Sequence, residues 1–122
     1  MKVLITGGAG YLGTVLTEEI LNRFPYAKVI VYDNLMYKQD GLFSFFKHPK
    51  DRFEFVYGDV RDKNSLLEQL QKLDKNNDYV IPLAAIVGFP ACARDEKLAT
   101  AVNFEHVKYI VQSTKCRIIY PN

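Results

Sequence analysis

The chain has 122 residues, 48% of them apolar, and 16 Lys and Arg stand against 14 Asp and Glu for a formal net charge of +2. This length fits one domain with a single packed core, and the interspersed charges exclude the basic stripe of a nucleic-acid surface. No apolar run approaches the roughly 20 residues that span a bilayer, and Met1-Lys2 leads into an apolar strand without a signal peptide, so no membrane partner and a cytoplasmic location are expected.

In chain order, Val3-Leu4-Ile5 reads as a short buried strand that passes into Thr6-Gly7-Gly8-Ala9-Gly10-Tyr11-Leu12-Gly13 and then into a helix. Glycines at a strand-to-helix junction let the backbone turn tightly and let a ligand approach bare N–H groups. The following helix aims its unpaired amides and positive dipole end at the same point, which suits a pyrophosphate. Gly8, Gly10 and Gly13 match G-x-G-x-x-G, and Gly7, Gly10 and Gly13 match G-x-x-G-x-x-G. A triphosphate-binding loop is excluded because Thr14 stands where its lysine must be.

Val15, Leu16, Ile20 and Leu21 recur at helical spacing and predict one face packed on a sheet, with Pro25 stopping the helix after Phe24. Lys28-Val29-Ile30-Val31-Tyr32 is the second strand. Asp33 ends it, about 20 residues after the glycines, where a ribose-binding carboxylate belongs. Residues 34–50 form a long irregular connection, and its cluster Leu42-Phe43-Ser44-Phe45-Phe46 suggests a short helix under the sheet edge or a wall of an adenine pocket.

Phe53-Glu54-Phe55-Val56-Tyr57 alternates as a third strand and is followed by Gly58-Asp59-Val60-Arg61-Asp62. Ligands in open α/β sheets sit beyond the carboxyl ends of the strands, so Asp33, Asp59 and the glycine loop face one crevice. Asp62 reads as a helix cap, and Leu66, Leu67, Leu70 and Leu73 as the buried stripe of the helix it caps. Tyr79-Val80-Ile81-Pro82-Leu83 is a central strand that must end at Pro82. Ala84-Ala85 is small enough for a flat ring to lie against, or for a helix to pack closely. After Gly88-Phe89-Pro90 a long helix is expected, from about Ala91 or Lys97 to Thr114. Leu98, Ala101, Val102, Phe104, Val107, Tyr109, Ile110 and Val111 make it apolar on two sides. Arg117-Ile118-Ile119-Tyr120 is the fifth strand.

Alternating strands and helices predict an α/β fold, a doubly wound parallel sheet in the order 3-2-1-4-5. Cys92 and Cys116 form no C-x-x-C pair and are expected to be reduced and structural. His48 and His106 have no ligand pattern around them; both are expected at the surface or half-buried, and no metal is expected.

The ordered set Thr6 to Gly13, Tyr32-Asp33-Asn34-Leu35, Gly58 to Asp62, Leu83-Ala84-Ala85 and Asn103 resembles the extended short-chain dehydrogenase/reductase family. The resemblance is specifically to the NAD-dependent sugar-nucleotide epimerases and dehydratases, over essentially the whole chain. It implies a Rossmann-like domain with NAD as cofactor. Gly7, Gly10 and Gly13 would form the loop, with the amides of Tyr11 and Leu12 on the pyrophosphate. Asp33, with Asn34 beside it, would take the ribose hydroxyls and repel a 2′-phosphate, a preference that Lys38 weakens slightly. Asp59 and Val60 would meet adenine, Leu83, Ala84 and Ala85 would line the path to the nicotinamide, and Asn103 would be structural.

The resemblance also implies a nucleotide-sugar substrate and a homodimer formed through the helix face bearing Ala101, Phe104 and Val107. Pro82 departs from a histidine common in the family. The family's catalytic serine or threonine after the fifth strand and its Tyr-x-x-x-Lys pair have no counterpart in residues 1–122, and neither does its sugar-binding domain. The expectation is therefore a cofactor-binding N-terminal part with no catalytic residue of its own. Two other readings stand beside it: a non-catalytic dinucleotide sensor or interaction module, and a methyltransferase with a similar loop, which fits the glycine spacing and Asp59 less well.

Overall fold

A computed structural model describes residues 1–87 and 89–121; Gly88 and Asn122, expected before the long helix and after the fifth strand, lie outside the described residues. Five strands, β1 (Lys2–Thr6), β2 (Lys28–Asp33), β3 (Phe53–Tyr57), β4 (Tyr79–Pro82) and β5 (Arg117–Ile118), pair in parallel in the order β3-β2-β1-β4-β5. This is the expected topology. Thr6 lies in register with Tyr32 on one side and Pro82 on the other, so β1, β2 and β4 end nearly level and open onto one edge. Pro82 closes β4, as its missing N–H requires.

Side chains alternate between the two faces of the sheet. Val3, Ile5, Val29, Val31 and Phe53 pack on one face with Ile20 and Leu21 of α1 (Tyr11–Arg23) and with Leu42 and Phe45 of a 3-10 turn (Gly41–Phe45). Leu4, Ile30, Tyr32 and Val80 pack on the other with Leu66 and Leu70 of α2 (Lys63–Gln71) and with Val102 and Ile110. The strands are thus covered on both faces, which is why they read as apolar runs.

Three expectations need correction. The inner face of α1 is Gly13, Thr17, Ile20 and Leu21, and Val15 is exposed. Leu16 packs on the core beside Ile20 and Leu21 as expected, and a Cβ on Gly13 would stand 2.5 Å from Gly8 Cα, so the contact of helix on loop takes the place that the apolar pattern gave to Val15. The single long helix is divided: α3 (Phe89–Arg94) stops at Asp95, whose extended backbone (φ −148°, ψ 90°) starts α4 (Glu96–Thr100) and whose carboxylate caps the Leu98 N–H at 3.0 Å. α4 then runs through a π turn (Ala101–Glu105) into α5 (His106–Ser113), with Ala99, Val102, His106 and Ile110 inward and Phe104 and Val111 outward. The fifth strand is two residues long, although the Ile119 N–H still donates to Val80 O at 2.9 Å. Cys92 and Cys116 are both free. Among the described residues, no helix is long and apolar enough to cross a membrane.

Candidate functional site

The glycine loop leaves β1 through Gly7, which has φ +70° and whose N–H donates to Tyr32 O at 2.8 Å. A Cβ on Gly7 would stand 2.4 Å from the Ala84 backbone nitrogen. Gly7 and Gly13 are therefore demanded by the fold itself. Gly10 is different: at φ −73° and ψ 178° its backbone suits any residue, and an added Cβ would meet only Gly7 O, at 3.5 Å. Gly10 is also the N-cap of α1, which has no side-chain cap and no acidic residue in its first turn, whereas Asp62 and Asp95 cap α2 and α4. The first intrahelical bond runs from the Thr14 N–H to Gly10 O, at 2.9 Å. The amides of Tyr11, Leu12 and Gly13 therefore have no acceptor within the helix, and they carry its positive dipole end.

Asp33 is tied to this loop. Its Oδ2 accepts from the Ala9 N–H at 2.9 Å and its Oδ1 from the Leu35 N–H at 2.7 Å, so each oxygen keeps accepting capacity toward the crevice. The chain then makes a stitched turn, with Met36 N–H on Asn34 Oδ1 at 3.0 Å and Lys38 N–H on Leu35 O at 2.9 Å. Leu35 and Lys38 both adopt φ 55°, a left-handed conformation costing roughly 1–3 kcal/mol at each non-glycine residue and concentrated at functional sites.

Asp59 sits at the end of β3, where Arg61 grips its carboxylate with Nε at 2.9 Å and Nη2 at 2.6 Å, and Asn34 Nδ2 adds a bond at 3.2 Å. The Arg61 side chain holds the Asp59 pKa down at about 2, against partial burial and with help from the Arg61 N–H and Asn34. Beneath it, the Tyr32 hydroxyl donates to Asp59 O at 2.9 Å and lies 3.0 Å from Ser65 Oγ, while burial pushes its pKa up. Asp62 accepts from the Ser65 N–H at 3.1 Å, as a helix cap should.

The opposite wall follows β4. Asn103 holds residue 86 by both backbone groups: Ile86 N–H donates to its Oδ1 at 2.6 Å, and its Nδ2 donates to Ile86 O at 2.8 Å. His106, expected at the surface or half-buried, is 2% exposed and contacts Thr6 and Val102. Positions 102, 106 and 110 share one helical face, but a histidine among apolar residues carries no sequence sign of its partners.

These walls enclose a cavity of about 670 Å³ beyond the carboxyl ends of the strands. All twelve expected binding residues line it: Gly7, Gly10, Tyr11, Leu12, Gly13, Asp33, Asn34, Asp59, Val60, Leu83, Ala84 and Ala85. Sequence reasoning missed Met36, Tyr37 and Gln39, which build the wall considered for the aromatic cluster at 42–46; Leu42 and Phe45 of that cluster go to the core instead. Asp33 and Asp59 are among the described lining residues, and no lysine or arginine is; Lys38 is exposed and does not line the cavity.

A five-stranded parallel sheet in this order, with an uncapped helix and a strand-end carboxylate meeting in one crevice, defines a Rossmann-like α/β protein. Residues 3–119 match the model of the NAD dependent epimerase/dehydratase family, and the chain belongs to that family. It is 39% identical over 72 residues to the CDP-paratose 2-epimerase of Salmonella typhi, covering 59% of this chain and 21% of that protein. It is 32% identical over 116 residues to the dTDP-D-glucose 4,6-dehydratase of Dictyostelium discoideum, covering 93% and 26%. The structure of DesIV, a dTDP-glucose 4,6-dehydratase of Streptomyces venezuelae with NAD and TYD bound, superposes with a TM-score of 0.78 at 28% identity, over 93% of this chain and 35% of that one. The chain thus spans about a quarter of the length of the relatives it matches.

Proposed function

We propose that the chain binds NAD in this cavity and forms the cofactor-binding portion of an enzyme acting on a nucleotide sugar. Gly10 carries the reading. Neither backbone conformation nor packing requires glycine there, and at this uncapped N-cap the bare loop leaves room for a ligand to lie against it, which supports the reading. The free amides of Tyr11 and Leu12 would take the pyrophosphate, Asp33 the adenosine ribose, and Asp59 and Val60 the adenine. Leu83, Ala84 and Ala85 would line the way to the nicotinamide. Asp59 is charge-paired with Arg61, whereas Asp33 has no such partner among the described residues and would meet a 2′-phosphate with like charge, which favours NAD over NADP.

Bound NAD would supply a hydride acceptor and donor for a sugar carbon. Residues 1–122 contain no Tyr-x-x-x-Lys pair, so the reading assigns this chain cofactor binding and orientation, not proton transfer. Phe104 and Val111, 58% and 57% exposed, support a homodimer through this helix. They equally favour the second reading, a dinucleotide-sensing module that contacts a partner there. Calorimetric titration with NAD and then NADP, on wild type and Asp33→Ala, tests the main proposal. NAD binding at least tenfold tighter than NADP, weakened in the variant, is expected; no NAD binding by the folded chain would overturn it.

A further inference from the structure

His106 and Thr6 are a hundred residues apart in sequence, and both side chains are buried, at 2% and 0% exposure. His106 Nε2 lies 3.4 Å from Thr6 Oγ1, and Nδ1 bonds to Val102 O. A carbonyl oxygen only accepts, so Nδ1 carries the ring proton; Nε2 then offers its lone pair, and the Thr6 hydroxyl donates to it. The π turn makes this arrangement possible. The backbone N–H of His106 reaches back five residues to Ala101 O, so it does not occupy Val102 O as an α-helical residue would, and that carbonyl faces the ring.

The two ends of this bridge stand directly behind the two walls of the cavity. Thr6 precedes Gly7, the first residue of the phosphate-facing loop, and Val102 and its neighbour Asn103 line the opposite side. An apolar side chain would fill the same space without the cost of burying an imidazole, and burial holds the His106 pKa below the ordinary histidine value. What the ring adds is a directional tie between β1 and the helix.

We propose that His106 is a positioning residue that braces the end of β1 against the π turn and so keeps the glycine-loop amides set for a dinucleotide pyrophosphate. The consequence for binding rests on the NAD reading above; the brace itself does not.

Thr6→Val removes the hydroxyl at nearly constant volume, Thr6→Ser retains it, and His106→Leu removes both ring nitrogens. Nitrogen-15 NMR of the wild-type imidazole, amide hydrogen exchange at Gly8 and Ala9, and calorimetric titration with NAD are measured on each folded chain. The brace predicts an Nδ1–H tautomer and faster loop exchange in Thr6→Val and His106→Leu. It also predicts roughly 5- to 10-fold weaker NAD binding in each, no further loss in the double variant, and wild-type behaviour in Thr6→Ser. An Nε2–H tautomer, or a Thr6→Val chain with wild-type loop exchange and NAD affinity, would overturn it. If the exchange responds as expected but the wild-type chain binds no NAD, the brace stands and the NAD reading falls.

Discussion

The two walls of the cavity are built by different means. On the side of β1, α1 and β2, the structure rests mainly on local backbone demands, a left-handed Gly7 and a helix seated on Gly8 through Gly13, with one side chain, Asp33, closing on the Ala9 amide. On the side of β4 and residues 86–113, it rests on single side chains reaching across the fold. Asn103 pins Ile86 from 17 residues away, and His106 meets Thr6 from 100. The first wall is held by what the backbone is, the second by what a few polar atoms touch, so they should fail differently when altered.

The largest effect is expected at the first wall. Gly7→Ala forces a methyl group to 2.4 Å from the Ala84 nitrogen at φ +70°, and the chain should lose about 3 kcal/mol or more, or fail to fold. Thermal unfolding measures it, and a near-wild-type melting temperature would show that the walls are less tightly opposed than described. Next is Asn103→Ala, which strands the N–H of buried Ile86 and leaves its C=O only the Cys92 thiol, 3.3 Å away; it should cost about 2 kcal/mol. Denaturant titration checks that figure, and a loss under about 0.5 kcal/mol would mean that water replaces the asparagine.

The smallest effect concerns Asp59. Its pKa in the folded chain lies below the ordinary aspartate value, at about 2. The stability it adds is therefore present above about pH 4 and lost as pH falls toward 2. Arg61→Gln should remove that contribution at neutral pH, a small loss because the ion pair is partly exposed, and so flatten the acid part of the stability curve while leaving stability near pH 2 unchanged. An unchanged curve would remove Arg61 as the cause.

The same contrast explains what was legible in the sequence. Strand order, the glycine loop and strand-end aspartates that line the cavity, and the Asp62 cap could be read because glycine spacing, strand-terminal aspartates and apolar runs are local marks of backbone requirements. On α1 the pattern gave Leu16, Ile20 and Leu21 correctly but misplaced Val15, because the contact of Gly13 on Gly8 leaves no apolar signature. His106 was misread because its partners are a strand-end threonine and a carbonyl opened by a π turn, neither of which periodicity reveals. The wall of Met36, Tyr37 and Gln39 was missed because it depends on the left-handed backbone of Leu35 and Lys38, residue types that do not advertise such a turn.

The account depends most on Gly10, the loop glycine that neither backbone conformation nor packing requires. Gly10→Ala, melted alone and then titrated calorimetrically with NAD beside the wild-type chain, tests it directly. The prediction is a melting temperature within a few degrees of wild type, as a substitution within roughly 1 kcal/mol should give, together with loss of NAD binding that wild type retains. A variant that binds NAD as wild type does would contradict the claim that the cavity's ligand lies against this loop.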